Sequence, residues 1–163
     1  MVKRRYAALT ASVAVIAMAG CGTENGTLAE DPAPTQTSPT AQPTVGTYPA
    51  FGPEDYTFHL AMSCFCLGAG VPIEVTVKDA AVVHAVYLAD DTGRGGTKKG
   101  DTADKLFWLT INDIIEAANN TAAARVEVVW PAGQDYPTSV YVDENENTID
   151  EEIGYAVSEV RVG

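Results

Sequence analysis

Two thiols a single residue apart, Cys64-Phe65-Cys66, form the densest group of reactive side chains in this 163-residue sequence, whose remaining cysteine is Cys21. Such a pair can form a disulfide, cycle as a redox couple, or clamp a soft metal. Residues i and i+2 of a regular strand lie ~6.5–6.8 Å apart with near-parallel side chains. A disulfide needs its Cβ atoms only ~4 Å apart, so bonding here requires a bend at Phe65. The loop it closes has three residues, for which the chain-entropy relation gives only about 1.6 kcal/mol before strain. That makes it a weak staple whose structural use is to fix a kink. Small strained rings are also easier to reduce, which keeps redox chemistry open. Met62 shares strand parity with Cys64 and Cys66, and one thioether with two thiolates suits Cu(I). Met62 equally continues the apolar line of Tyr56, Phe58 and Leu60, the pattern of a core residue. His59 has the opposite parity and cannot join that set without a bulge.

A second constellation is rich in oxygen. Asp143, Asn145 and Asn147 stand at the first, third and fifth places of a calcium-loop pattern, and Asp150, Glu151 and Glu152 follow closely. Thr148 occupies the place that calls for glycine, and Gly154 the place of the bidentate Glu, so the later carboxylates would have to substitute for a Ca²⁺ ligand. The alternative is a solvated hairpin turn, where Asp and Asn bond their own backbone.

Hydrolytic chemistry has no recognisable set of residues. The sequence contains no G-x-S-x-G and no H-E-x-x-H, and its two histidines, His59 and His84, fall in predicted strands without an adjacent nucleophile. The run Gly93-Arg94-Gly95-Gly96-Thr97-Lys98-Lys99 lacks P-loop spacing and launches no helix, so it reads as a loop. Trp130, Tyr136 and Tyr141 could form a recognition surface, although aromatics on a small sheet serve as core at least as often.

The start of the chain indicates where these residues work. Lys3, Arg4 and Arg5 precede an uncharged apolar run, Ala7 to Met18, which is shorter than the ~20 residues of a bilayer span. Met18-Ala19-Gly20-Cys21 closes it in the manner of a bacterial lipobox, predicting a signal peptide over 1–20 and acyl chains (palmitate among them) on Cys21. The expected location is therefore extracytoplasmic, anchored by lipid to the bacterial cell membrane. With Cys21 lipidated and the compartment oxidising, Cys64 and Cys66 have only each other as intramolecular thiol partners, and a disulfide between them is the expectation.

The formal net charge is −12. Removal of 1–20 takes away three of the ten basic residues and none of the 22 acidic ones, leaving 7 against 22, or −15. So acidic a chain has no electrostatic footprint for nucleic acid and is repelled by anionic headgroups, so membrane attachment must come from lipid. Two acyl chains anchor stably where one is marginal.

The elements that must position the candidate residues follow from periodicity. Residues 21–50 are rich in Thr, Pro, Gln and Ala with no hydrophobic period, which reads as a disordered tether. Residues 51–163 suit one domain. Alternation predicts strands from Tyr56 into Cys64, from Ile73 to Lys78 and from Ala81 to Leu88, the last two forming a hairpin. A stripe through Ala103, Leu106, Phe107, Ile111, Ile114, Ile115 and Ala118 predicts one amphipathic helix, with Asp101 or Thr102 as N-cap and Asn119-Asn120 at its end. Three more strands are expected at Arg125–Trp130, Thr138–Val142 and Ile153–Val162. The order βββ-α-βββ argues for an α+β fold, an antiparallel sheet of five to six strands with the helix on one face.

Several of these segments occur in an order that resembles the bacterial lipoproteins grouped as domain of unknown function 6174. The resemblance runs from Tyr56-x-Phe58 and Cys64-Phe65-Cys66 through Pro72-Ile73-Glu74-Val75-Thr76-Val77 and Leu106-Phe107. It continues through Val126, Val128, Tyr136-Pro137-Thr138 and Asp143 to Asp150-Glu151-Glu152, Tyr155 and Val157. It implies an envelope-attached domain without an assigned activity. The sequence thus reads as a non-catalytic lipoprotein that binds an envelope protein or a small ligand through its sheet or acidic loop, with no cofactor. The alternative is a thiol-based redox or Cu(I)-binding protein using Cys64-Phe65-Cys66.

Overall fold

Strong period-2 alternation in Tyr56–Ser63 sends Tyr56, Phe58, Leu60 and Met62 to one side of a strand and Thr57, His59, Ala61 and Ser63 to the other. The computed structural model describes residues 42–91 and 96–163. The expected signal peptide, Cys21, most of the tether and part of the Gly93–Lys99 loop lie outside the described residues. Six strands form one antiparallel sheet: β1 Tyr56–Ser63, β2 Ile73–Lys78, β3 Ala81–Tyr87, β4 Arg125–Val129, β5 Ser139–Asp143 and β6 Ile153–Val162. Their order is β3-β2-β1-β6-β5-β4. Among the described residues a single α-helix, α1 Ile111–Ala118, packs its Ile111, Ile114, Ile115 and Ala118 into the same core as Phe58, Ile73, Val75 and Val140. With six strands and eight helical residues the domain is mostly sheet, so the α+β description holds only in outline.

Two three-stranded meanders, β1–β3 and β4–β6, meet where the first strand pairs with the last. Tyr56 lies opposite Val162, Leu60 opposite Val157 and Ser63 opposite Gly154, with a register shift between Thr57 and His59. Gly154 suits this seam because a Cβ there would collide with the Ser63 hydroxyl. The β2–β3 turn is Asp79-Ala80, both at positive φ (50° and 60°), the backbone of a tight hairpin turn. Asp55 holds that turn: its Oδ1 accepts the Asp79 N–H at 2.9 Å, and Lys78 lies 3.5 Å from its other oxygen.

The expected helix is shorter than its apolar stripe. Helical φ/ψ is confined to a 3-10 turn, Lys105–Phe107, and to α1, whose N-cap is Thr110 and not Asp101 or Thr102. The Thr110 hydroxyl accepts the Asp113 N–H, and the Asp113 carboxylate accepts the Thr110 N–H at 2.7 Å, a reciprocal capping box. Upstream, the backbone is committed to covering the edge of β3. Ala103 N–H donates to the Ala85 carbonyl at 2.9 Å, Tyr87 N–H donates to Asp101, and Thr102 bridges Val86. Edge pairing satisfies groups that a helix start would leave orphaned, so it takes precedence over the stripe. Phe107 remains core, whereas Leu106 is half exposed.

The domain also begins earlier than Phe51. Tyr48 stacks on Trp130 with ring centroids 5.0 Å apart, and its N–H and carbonyl are both taken by the Asn119 side chain at 2.8 and 2.9 Å. Asn112 treats Phe51 the same way, at 2.8 and 3.0 Å. Two asparagines seven residues apart, on one line of the helix, therefore hold the incoming chain as a partner strand would. Residues 42–50, read from composition as tether, are in this stretch packed onto the domain.

Candidate functional site

β1 ends at Ser63, and the chain turns at once. Gly70 N–H returns to the Met62 carbonyl at 2.7 Å, which closes the segment Ser63–Ala69 into a tight excursion. Gly68 is required inside it, because its φ is +79° and a Cβ would stand 2.7 Å from the Tyr87 hydroxyl. Cys64 and Cys66 are half-buried against the core, with sulfurs in close contact and Cα atoms 5.2 Å apart. That separation is shorter than the repeat of an extended strand, as the bend expected at Phe65 requires. With both flanking side chains turned inward, Phe65 points out and is 82% exposed; Leu67 is 63% exposed.

Met62 takes the core role. It is 2% exposed among the residues of the apolar face. His59 lies on the opposite face, 3.7 Å from Glu74. Hence Met62, Cys64 and Cys66 do not present three sulfurs to solvent, and any soft cation would meet the two cysteines first.

The acidic loop lies beside this turn, because Ser63 and Tyr141 both face Gly154 at the start of β6. The oxygens of Asp143 and Asn145 are engaged locally. Asp143 Oδ1 accepts the Asn145 N–H at 3.0 Å, Asn145 Oδ1 accepts the Asn147 N–H at 3.1 Å, and Thr148 N–H donates to the Asn145 carbonyl at 2.8 Å. These are successive Asx turns. The following carboxylates divide between two faces. Asp143 and Glu152 flank Tyr141, whose phenol is held above its ordinary pKa first by desolvation and then by those two charges. Glu144 and Glu151 instead border a cleft of about 90 Å³ at the end of α1 with Asn120 and Tyr155, where Glu144 accepts a hydrogen bond from Asn120 at 2.9 Å. Burial, and secondarily Glu144, raises the Tyr155 pKa. Of the candidate cation loop Asp143, Asn145, Asn147, Asp150, Glu151 and Glu152, the first three are linked by these turns, while Glu151 lies at a different cleft from Asp143 and Glu152. Among the described residues no three His, Cys, Asp or Glu side chains are grouped to hold a metal ion.

A feature that sequence reasoning missed is a groove on the face of the sheet away from α1. It has a volume of about 280 Å³ and runs over Ala61, Ser63, Gly154 and Ala156, with Tyr141 on one side and Gly70 at its end toward the cysteine turn. Its signal was present as small residues on the outward positions of β1 and β6, but nothing in either strand alone shows that the two become neighbours. Trp130 and Tyr136, candidates for a recognition surface, are instead partly buried. Trp130 Nε1 donates to the Gln134 carbonyl at 2.6 Å, and Tyr136 packs edge-on to Phe51. Tyr141 is the member of that trio that faces the groove.

Among the described residues no helix is long and apolar enough to cross a membrane. No curated protein and no solved structure matches the chain. A family model does match it, over residues 40–162, a span that includes the Asn-clamped entry segment, both meanders, the cysteine turn and the acidic loop. The chain belongs to the family of unknown function DUF6174.

Proposed function

We propose that this chain is a bacterial lipoprotein, anchored to the cell membrane through acylated Cys21, whose folded domain binds an envelope partner and does not catalyse a reaction. The observation that carries the binding role is the face of the sheet that no described element covers. α1 packs on one side only, and the other side has a groove floored by Ala61, Ser63, Gly154 and Ala156. At about 280 Å³ it lies just below the ~300–1,000 Å³ of small-molecule pockets, and it suits contact with another surface better than enclosure of a ligand. The anchor is supported by the basic, apolar and small-residue order that ends in Cys21. Metabolic labelling with a palmitate analogue tests the anchor: incorporation into the wild-type chain and none into Cys21→Ala is expected. Turnover of a thiol, ester or phosphate substrate by the purified protein, lost on substitution in the groove, would defeat the non-catalytic reading.

A second reading is favoured by one specific contact, that of the Cys64 and Cys66 sulfurs at a half-exposed turn. A bond that opens would make the pair a thiol redox centre or a two-thiolate Cu(I) site. Intact mass with and without reductant, followed by the reduction potential, separates the cases. A two-dalton shift with a potential well below that of the glutathione pool means a structural disulfide, and failure of the reduced protein to retain one Cu(I) against a chelator removes the metal version.

A further inference from the structure

Among the described residues, the two large apolar side chains most exposed to water are Phe65 and Ile149, each 82% exposed, and both lie at the same end of the sheet. Phe65 is in the turn that follows β1, and Ile149 is in the loop that precedes β6. The pairing of Ser63 with Gly154 brings those two connections side by side. Leu67, 63% exposed, extends the apolar tip. We propose that this tip is a docking element for a basic envelope protein, with Phe65 seated in an apolar pocket rimmed by Lys and Arg. The proposal rests on the binding role argued above and names the class of partner.

Two observations select that occupant. The closed Cys64–Cys66 pair keeps its own side chains against the core and presents Phe65 outward, so the exposure is built into the turn. An aromatic anchor presented on a rigid support loses little freedom on binding, which is what makes such residues hot spots. Beside it, the ten residues from Asp143 to Glu152 carry six carboxylates and no cation. An apolar centre with an acidic rim complements a pocket with a basic rim. The same charge disfavours the other occupants: anionic headgroups are repelled, and a second copy of this chain would set one acidic rim against another.

The test uses the full-length chain in its own cells, with a photoreactive phenylalanine at position 65, at 149, or at 162 on the opposite end as control. The expected result is one protein adduct from positions 65 and 149 and none from 162. That adduct should be lost when Glu144, Glu146 and Asp150 are all changed to Lys. With the adduct protein purified, Phe65→Ser should weaken its binding at least about tenfold, and raising salt should weaken it further. Both variants alter exposed side chains, and unchanged melting shows that they still fold. An adduct to phospholipid overturns the proposal in favour of membrane docking. An adduct to a second copy of the chain overturns it in favour of self-association, and a protein adduct indifferent to the charge reversal overturns the basic rim. A partner captured only from 162 sinks this surface while leaving the binding role standing. Absence of any adduct from all three positions counts against both.

Discussion

At one end of the sheet, Phe51 sits edge-on to both Tyr56 and Tyr136, with centroids 5.0 and 5.7 Å away, and the Tyr56 hydroxyl accepts the Ile111 N–H that opens α1 at 3.0 Å. At the other end, Phe65, Leu67 and Ile149 project into solvent from turns whose backbone is tightly bonded. Aromatic residues are thus used in two ways within one small domain. The first end buries Phe51 and Tyr56 and engages the Tyr56 hydroxyl, which joins the entry segment, β1 and the helix start into one unit. The second spends its hydrogen bonds on shaping turns and leaves the apolar groups outside, an arrangement that contributes nothing to folding stability and so calls for another use.

The sharpest way to break this contrast is to truncate a ring on each side of it. Phe58 is fully buried, and Phe58→Ala should cost about 3–5 kcal/mol in urea-induced unfolding. Phe65→Ala should stay within about 0.5 kcal/mol of wild type. Equal losses would mean that the tip is packed and the comparison mistaken. Next in size, Tyr56→Phe removes the acceptor of a buried helix-start N–H and should cost about 1–3 kcal/mol, read from the same unfolding curves. Cys64→Ala together with Cys66→Ala should cost no more than about 1.6 kcal/mol, the entropic worth of so short a loop. A larger loss would show that the bridge holds more than its own turn.

The smallest effect concerns pH at the closed end. The Asp79 N–H, with help from Lys78, holds the Asp55 carboxyl below the ordinary value of 3.8. A carboxyl whose folded pKa is depressed stabilises the fold above its unfolded pKa, and that contribution is lost as pH falls through the folded one. Melting temperature should therefore fall below about pH 3.8 more steeply in wild type than in Asp55→Asn, by a small margin because the group is half exposed to solvent. Identical acid limbs would mean that the Asp79 turn does not depend on this charge.

Much of the architecture was legible from local pattern. Every strand was readable from alternation or β-rich runs because one face of the sheet is buried and the other is not, and that asymmetry writes a period of two into β1 and β2. The bend at Phe65 followed from bond geometry alone, since no regular strand brings residues 64 and 66 close enough. The helix start was misread because Ala103 and Leu106 continue an apolar stripe, while the backbone there was needed to pair with β3, a partner that no window around residue 103 contains. Residues 42–50 were misread for a similar reason. Their composition is that of a tether, but Asn119, 71 residues from Tyr48, supplies the hydrogen bonds that hold the Tyr48 backbone.

The candidate site divides along the same line. The sequence by itself determined that Cys64 and Cys66 can bond only with a bend between them, that the loop from Asp143 to Glu152 is acidic throughout, and that Asp and Asn there favour Asx turns. Each of these depends on covalent reach or on bonds between near neighbours. Only the tertiary structure decided that Glu151 and Glu152 part to different sides, and that the cysteine turn and the acidic loop share one end of the sheet. Those outcomes follow from the pairing of β1 with β6, a contact between chain segments about a hundred residues apart. Such a contact is set by the burial of two apolar faces against one helix, and that is a property of the assembled layers which no single strand carries.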